Sequence, residues 1–175
     1  MSMSNFKEDL QKVRAFVFDV DGVYSSSKII LHPSGDLMRS MHIKDGFATQ
    51  YAIRKGYPIA IITGGNSESV RERFHKLGVK DIYLGSFHKI QDFRHFTAKY
   101  SLEASNVLYM GDDLPDYPVM KIVGFPTCPS DAVEEIKAVS RYISDRPGGE
   151  GCVRDIIEQV MRLHGRWMEE DAFRW

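Results

Sequence analysis

The chain has 175 residues, 43% of them hydrophobic, and a formal net charge of −1 from 23 basic and 24 acidic side chains. This length and composition predict a globular domain with a hydrophobic core. The interspersed, nearly balanced charges argue against a nucleic-acid-binding surface or a basic membrane-binding face.

Targeting and redox signals are also absent from the sequence. The polar start MSMSNFKEDL lacks the apolar core of a signal peptide, and no apolar run approaches membrane-spanning length. Cys128 and Cys152 are too few for a disulfide framework, and no Cys/His spacing resembles a zinc site. We therefore expect a cytoplasmic protein that binds neither nucleic acid nor membrane.

Short apolar strands alternate with amphipathic helical patterns along most of the chain. The predicted strands cover 15–19, 58–63, 81–84, 107–111, a segment near Phe125 and 141–144. The predicted helices cover 46–55, 67–77, 89–100, 116–122, 131–139 and 153–163. This alternation predicts an α/β fold with a Rossmann-like, doubly wound parallel sheet. We expect one domain over 1–165, and a tail over 166–175 because its aromatic residues lack core-like periodicity.

One segment interrupts the strand–helix alternation directly after the first strand. The pattern KIIL, HPSGD, LMRSMH over 28–42 predicts a β-hairpin, so that 24–43 would form a flap. Its two faces are both apolar, which would expose hydrophobic side chains in an isolated chain. These side chains are Ile29, Ile30, Leu31, Leu37, Met38 and Met41. We therefore expect a closed homo-oligomer, and the remaining gaps leave no room for a separate cap domain.

The stretch FDVDGVYS places Asp19 and Asp21 at the end of the first strand. In a continuing strand, two carboxylates two residues apart would project the same way and repel each other, unless a cation or a proton intervened. Other reactive side chains also follow strands, and parallel α/β sheets bind ligands beyond the carboxyl ends of their strands. They are Thr63, Lys89, Asp112, Asp113 and Asp116.

This set of side chains suits phosphoryl transfer through an aspartyl phosphate. A carboxylate is a competent nucleophile toward phosphorus, and a second one can exchange protons with the leaving group and with water. Mg²⁺ prefers oxygen ligands and would relieve the repulsion between the acids. Thr63, backbone N–H groups and Lys89 could hold the oxygens of the transferring phosphoryl group.

The order of these residues resembles that of the haloacid dehalogenase superfamily of phosphohydrolases, in four segments: DVDGVYS, ITGG, Lys89 and GDDLPD. The resemblance implies that Asp19 is the nucleophile and Asp21 the general acid/base. It implies a Mg²⁺ ion bound by Asp19, the backbone carbonyl of Asp21 and Asp112, supported by Asp113 or Asp116. It further implies that Thr63, Gly64 and Lys89 bind phosphate.

A narrower resemblance is to the 3-deoxy-D-manno-octulosonate 8-phosphate phosphatases, through HIKDGF, ITGGNSESVRERFHKLG, GDDLPDYPVM and GGEGCVRD. It implies hydrolysis of a sugar-acid phosphate in lipopolysaccharide precursor synthesis by a capless homotetramer. The hairpin would pack between subunits, and the 148–151 loop or the tail would reach a neighbouring active site. The residues expected to contact the sugar acid are Lys44, Asp45, Arg73, Gly148 and Gly149.

This chain departs from that pattern at two places. It has Tyr24-Ser25 where many members have Leu-Thr, and Gly65 where many have Arg. A phosphatase for nine-carbon sugar-acid 9-phosphates is the near alternative. There we would expect an acidic residue at position 65, so Gly65 favours the eight-carbon substrate.

Structural interpretations stand beside these functional ones. Asp19 and Asp21 could belong to a turn, Asp116 could cap the following helix, and Lys89 could be a solvated surface lysine. A phospho-receiver domain would also use acids, Thr and Lys, but on a sheet whose phosphorylated Asp follows the third strand. A non-catalytic assembly domain is the remaining alternative, and the complete set of acids, Thr63 and Lys89 argues against it.

Overall fold

A computed structural model describes residues 9–174. Its main sheet has six parallel strands in the order β5-β4-β1-β6-β7-β8, which confirms the predicted doubly wound α/β fold. These strands are β1 Ala15–Phe18, β4 Ile59–Ile62, β5 Asp81–Tyr83, β6 Val107–Met110, β7 Phe125–Cys128 and β8 Tyr142–Ile143. Each lies within or close to a segment that the apolar pattern predicts.

Within the described residues, six α-helices connect or flank these strands. They are α1 Ile43–Arg54, α2 Glu68–Lys76, α3 Lys89–Lys99, α4 Tyr117–Met120, α5 Glu134–Val139 and α6 Cys152–Leu163. A short 3₁₀ helix, Leu114–Asp116, precedes α4. Since parallel neighbours need crossover connections, this succession of helices follows directly from the strand order.

Alternate side chains of the central strand enter two separate cores. Phe16 and Phe18 pack with the helices α1, α2 and α6 on one face of the sheet. Ala15 and Val17 pack with α3, α4 and α5 on the other face. The period of two along a strand therefore divides the buried residues of β1 between both helical layers. The sheet is covered on both sides, and its strand ends are the places where polar groups can meet.

The inserted hairpin consists of β2 Ile30–Leu31 and β3 Leu37–Met38, paired antiparallel around a turn that contains Gly35 at φ +90°. Its strands are shorter than the predicted ones. Leu31 is 77% exposed and Met38 is 48% exposed, as the apolar pattern on both faces predicts. Met41 differs from them, because it packs against the main core.

Helix α1 begins three residues earlier than predicted, at Ile43 rather than at position 46. Gly46 disfavours helix on propensity alone, which hid the true start. The structure explains this glycine, since an added Cβ would lie 2.5 Å from a guanidinium nitrogen of Arg73 on α2. Gly46 therefore lets α2 approach α1 closely.

Part of the predicted tail belongs to the core. Trp167 is only 5% exposed and packs edge-on against Tyr51 of α1, with ring centroids 5.6 Å apart. Lys55 then pairs with Glu169 and Asp171, each at 2.5 Å. A single aromatic anchor creates no periodic pattern, so the sequence could not reveal this attachment. Across 9–174, no helix has both the length and the apolar character needed to cross a membrane.

Candidate active site

Lys89 occupies the centre of the acidic cluster at the carboxyl ends of the strands. It is the first residue of α3, and its side chain is almost fully buried. The ammonium Nζ lies 2.7 Å from Asp19 Oδ2 and 2.7 Å from Asp116 Oδ1. Burial lowers the pKa of Lys89, but the two carboxylates outweigh it and leave that pKa above its ordinary value. The interpretation of Lys89 as a solvated surface residue is therefore wrong.

Asp19 follows β1 directly and is also buried. Its Oδ1 accepts a hydrogen bond from the Val20 N–H at 2.6 Å. Burial and the neighbouring charge of Asp116 raise the pKa of Asp19 to about 7, although Lys89 opposes the rise. The Val20 N–H and the Lys89 ammonium thus fix the direction of the Asp19 carboxylate, while the negative charge of Asp116 lies close to it.

Asp116 is completely buried and all its contacts are internal. Its Oδ1 accepts from Lys89 and from the Tyr109 hydroxyl at 2.5 Å, and its Oδ2 accepts from the Asp112 N–H at 3.1 Å. Its side chain does not cap α4, so the capping interpretation is wrong. Gly111 makes room for it, since a Cβ there would lie 2.3 Å from Asp116 Cγ. Asp116 anchors both Lys89 and the loop that carries Asp112.

Asp112 brings a third carboxylate into this cluster. Carboxylate oxygens of Asp19, Asp112 and Asp116 lie within 4.8 Å of one another. Burial, followed by the charges of Asp19 and Asp116, raises the pKa of Asp112 to about 8. Gly22 has φ +81°, and a Cβ on it would lie 1.9 Å from Asp112 Oδ2. Only glycine therefore fits this turn of the first motif against Asp112.

Asp113 lies on the solvent side of this cluster. Its Oδ1 accepts from the Leu114 N–H at 2.7 Å and so caps the short 3₁₀ helix that precedes α4. The support role predicted for Asp113 or Asp116 fits the buried Asp116 far better than the exposed Asp113.

Asp21 points toward the hairpin instead of toward Lys89. Both of its carboxylate oxygens accept from Arg39, one from Nε and the other from the terminal nitrogen Nη2 at 2.9 Å. Ser25 Oγ also donates to Asp21 Oδ1 at 3.2 Å. Arg39 was not identified from the sequence, since an arginine in a hairpin is normally a solvated surface residue.

The second strand end places Thr63, Gly64 and Gly65 beside these acids. Thr63 is buried, and its Oγ1 accepts from the Gly65 N–H at 3.2 Å. A Cβ added at Gly65 would lie 3.3 Å from Arg39 and 3.6 Å from Asp21. Gly64 is exposed and has no heavy atom within 4 Å of its ideal Cβ position. Its backbone is therefore accessible from solvent.

Comparisons with known proteins agree with this geometry. A sequence model of the haloacid dehalogenase-like hydrolases matches residues 78–154. The 3-deoxy-D-manno-octulosonate 8-phosphate phosphatase KdsC of Salmonella typhi is 31% identical over 156 residues, which span 89% of this chain and 83% of that protein. The chain belongs to the haloacid dehalogenase-like hydrolases.

Solved structures of such hydrolases superpose closely on the chain. The Yersinia pestis 3-deoxy-D-manno-octulosonate 8-phosphate phosphatase has a TM-score of 0.89 at 28% identity, covering 91% of this chain and 86% of its own. The Moraxella catarrhalis enzyme, solved with magnesium, phosphate and KDO, has a TM-score of 0.87 at 32% identity, covering 92% of both chains. The haloacid dehalogenase-like fold therefore extends over nearly the whole chain.

Two of the residues expected to contact the sugar acid, Lys44 and Arg73, lie at the protein surface. Lys44 is exposed at the start of α1. Arg73 is half-buried on α2 and faces a cavity that it shares with Arg39 and Met41. Both side chains are reachable from solvent, so a ligand could contact them.

Asp45 contradicts the expectation of direct substrate contact. It is completely buried, and its Oδ1 accepts from the Arg154 N–H at 2.7 Å in the first turn of α6. Burial raises the pKa of Asp45 to about 6. Its place is the junction between α1 and α6, where a substrate cannot reach it.

Gly148 and Gly149 are also occupied by protein contacts. A Cβ on Gly148 would lie 2.0 Å from the Gly22 carbonyl oxygen, and one on Gly149 would lie 2.5 Å from the Ser26 nitrogen. These glycines allow the 148–151 loop to lie against the loop that follows Asp21. Within residues 9–174 they therefore contact the backbone of the DVDGVYS segment and its neighbour Ser26.

Proposed function

We propose that this chain is a Mg²⁺-dependent phosphatase that converts 3-deoxy-D-manno-octulosonate 8-phosphate into 3-deoxy-D-manno-octulosonate and phosphate. The observation that carries the proposal is the buried Asp19–Lys89–Asp116 arrangement beside Asp112, in a chain 31% identical to KdsC of Salmonella typhi. In a receiver domain, the phosphorylated aspartate follows the third strand. Here Asp19 and Asp21 follow β1, which lies in the centre of the sheet.

The donor set fits Mg²⁺, the ion named in the Moraxella catarrhalis complex. Asp19 and Asp112 are crowded carboxylates whose pKa values are raised, and a divalent cation would relieve their repulsion. Asp116 is a weaker candidate ligand, since it is completely buried and its two oxygens already accept from Lys89, Tyr109 and the Asp112 N–H. Asp19, Asp112 and the Asp21 backbone carbonyl would hold the ion. When bound, it neutralises charge on the phosphate oxygens and on the acids.

Asp19 is the proposed nucleophile. A carboxylate oxygen of Asp19 attacks phosphorus, the bond between phosphorus and the sugar oxygen breaks, and an aspartyl phosphate forms. The Lys89 ammonium, the Thr63 hydroxyl and the backbone N–H groups after β4 surround the transferring oxygens. Because Lys89 is held by Asp116 as well as by Asp19, it keeps its place when the charge on Asp19 is consumed.

Asp21 is the proposed general acid and base. In the first step it gives a proton to the departing sugar oxygen. In the second step it takes a proton from water, whose oxygen attacks phosphorus and breaks the bond to Asp19, releasing phosphate. The two aspartates thus have separate tasks: Lys89 holds Asp19, while Arg39 and Ser25 hold Asp21 on the open side.

A homotetramer completes the proposal. The hairpin exposes five apolar side chains, and further apolar groups are exposed next to the site: Phe87 is 89% exposed and Leu114 is 56% exposed. Phe87 lies two residues before Lys89, and Leu114 lies two residues after Asp112. Subunits that pack hairpins over these groups would bury both surfaces and wall the site. The cytoplasmic location expected from the sequence stays a prediction.

A phosphate-release assay tests the function. Purified protein is incubated with the eight-carbon sugar-acid 8-phosphate, a nine-carbon sugar-acid 9-phosphate and mannose 6-phosphate, each with Mg²⁺ or with excess chelator. We expect the highest kcat/KM for the eight-carbon substrate, only with Mg²⁺, and none for Asp19→Asn. A preference for the nine-carbon substrate would replace the proposed substrate, and phosphate release by Asp19→Asn at the wild-type rate would refute Asp19 as the nucleophile.

A further inference from the structure

The ion pair between Arg39 and Asp21 links the hairpin to the proposed acid/base. Arg39 lies one residue beyond β3, and two of its nitrogens bind the two carboxylate oxygens of Asp21. Its remaining terminal nitrogen donates to the Leu37 carbonyl at 2.9 Å. In this arrangement, the guanidinium engages both oxygens of Asp21, and Ser25 Oγ also donates to Oδ1, so the carboxylate is held toward the hairpin.

The space around the Arg39 guanidinium is open on the side of β4 and α2. Gly65 has no side chain to fill it, and a Cβ there would lie 3.3 Å from the guanidinium. Next to it, a cavity of about 210 Å³ is lined by Leu37, Arg39, Met41, Ser69, Val70 and Arg73. Arg73 makes no ion pair with any residue of the described 9–174 segment. The cavity therefore offers one paired and one unpaired guanidinium.

We propose that Arg39 determines specificity by exchanging its partner: it releases Asp21 and binds the carboxylate of the sugar-acid substrate in the cavity shared with Arg73. This inference rests on the proposed function, which supplies a substrate with a carboxylate at one end and a phosphate at the other. A guanidinium binds either carboxylate in the same bidentate geometry, so the exchange keeps its hydrogen bonds.

The exchange would couple recognition to catalysis. A sugar acid that takes Arg39 frees Asp21 to act on the leaving oxygen, because the arginine no longer holds both carboxylate oxygens. A neutral sugar phosphate occupies the phosphate site equally well but leaves the Arg39–Asp21 pair intact. Discrimination between the two substrates then appears in turnover as well as in binding.

The test compares Arg39→Met and Arg39→Lys with the wild type. The substrates are 3-deoxy-D-manno-octulosonate 8-phosphate and mannose 6-phosphate, which lacks a carboxylate. Arg162→Met is the matched control, because this arginine is paired with Glu158 on the outer surface of α6. For Arg39→Met, we expect kcat/KM to fall about 10- to 100-fold for the sugar acid and to rise for mannose 6-phosphate, because the substitution releases Asp21 without any carboxylate in the substrate.

A second measurement needs no turnover of the sugar acid. Free 3-deoxy-D-manno-octulosonate should inhibit hydrolysis of p-nitrophenyl phosphate, and its inhibition constant should rise about 10-fold or more in Arg39→Met, with a smaller rise in Arg39→Lys. Urea unfolding of each variant checks its fold, and Arg39→Lys carries the test if Arg39→Met does not fold.

The outcomes separate the two proposals. A parallel loss on both substrates, with an unchanged inhibition constant, would reduce Arg39 to a residue that only positions Asp21 and would overturn the exchange. An unchanged selectivity ratio in both variants would overturn it as well. A wild type that cleaves mannose 6-phosphate but not the sugar-acid phosphate would overturn the proposed function, and the exchange with it.

Discussion

Lys89 and Asp116 form an ion pair that is almost completely buried, with 2.7 Å between Nζ and Oδ1. Removing one partner of such a pair leaves an uncompensated charge in a medium that solvates it poorly. Asp116 also binds the Tyr109 hydroxyl and the Asp112 N–H, so the pair connects α3, β6 and the loop after β6. It fixes the geometry on which the other acids depend.

Lys89→Met should therefore abolish activity and lower the free energy of unfolding by about 3 kcal/mol or more. The methionine fills similar space but leaves Asp19 and Asp116 facing each other without a cation. Phosphate release and urea unfolding measure the two effects. Lys137→Met, which removes an exposed pair with Glu134, is the control and should change stability by less than about 1 kcal/mol. Comparable stability losses in both variants would contradict the central role of Lys89.

Asp19→Asn should remove turnover while the fold persists, because an amide does not attack phosphorus. We expect kcat to fall by at least about 10³-fold, with an unfolding midpoint close to that of the wild type. Asp113→Asn is the matched control: its side chain caps a 3₁₀ helix, and asparagine caps equally well, so activity should stay close to normal. Near-normal activity in Asp19→Asn would refute the nucleophile assignment.

Mg²⁺ should stabilise the protein in addition to activating it. With Mg²⁺ at 100 times its dissociation constant, we expect the thermal midpoint to rise by about 5 °C or more. Excess chelator should reverse the rise and stop phosphate release, and fresh Mg²⁺ should restore both. Asp112→Asn should lose the thermal shift, whereas Asp113→Asn should keep it. An equal shift in both variants would exclude Asp112 as a ligand.

The strands and most helices could be predicted because each apolar strand is short and bounded, and each helix has a buried stripe. The convergence of Asp19, Lys89 and Asp112 follows from one rule, that parallel strands end at the same edge. The Arg39–Asp21 pair lay beyond sequence reasoning, because it depends on how the hairpin folds over the sheet. Trp167 was equally hidden, since one anchoring side chain produces no pattern.

Asp45 shows the limit of assigning roles by position next to a motif. The sequence placed it at the hairpin base beside Lys44 and suggested a substrate contact. Asp45 is buried because α1 packs on α6. It accepts a hydrogen bond from the Arg154 N–H, which lies more than 100 residues away along the chain. No local sequence pattern predicts such a long-range contact.

The raised pKa of Asp45, about 6 against an ordinary 3.8, predicts a pH-dependent stability. Burial makes the folded state hold this proton more tightly than the unfolded state does. The contribution of Asp45 to the free energy of unfolding therefore falls as pH rises from about 4 to about 6, and it stays constant above that range. Asp45→Asn keeps an acceptor for the Arg154 N–H and has no proton to lose.

Relative to the wild type, Asp45→Asn should gain about 2–3 kcal/mol of unfolding free energy between pH 4 and pH 6, and no more above it. Urea unfolding across pH 4–8 measures this difference. Asp45→Ala lacks the acceptor and should be the less stable of the two variants throughout. A difference between wild type and Asp45→Asn that does not vary with pH would contradict the shift.

The exposed hairpin predicts that the active species is an assembly. Leu31 and Met38 are 77% and 48% exposed, on a two-stranded hairpin that is marginal by itself in water. Light scattering on the wild type should give about four times the 20.0 kDa of one chain. Leu31→Asp with Met38→Asp should yield smaller species with reduced kcat/KM, because charges on this surface oppose association.

Two features of the hairpin sharpen this last test. Met41 is left unchanged, because it packs against the main core and its substitution would also destabilise the fold of the single chain. His32→Asp adds a charge at the exposed turn and serves as the control, which should stay assembled and active. A wild type that is active as a monomer would refute the assembly, since the hairpin would then need no partner. If the double variant separates into monomers but keeps full kcat/KM, the subunit contact stabilises the protein without completing its active site.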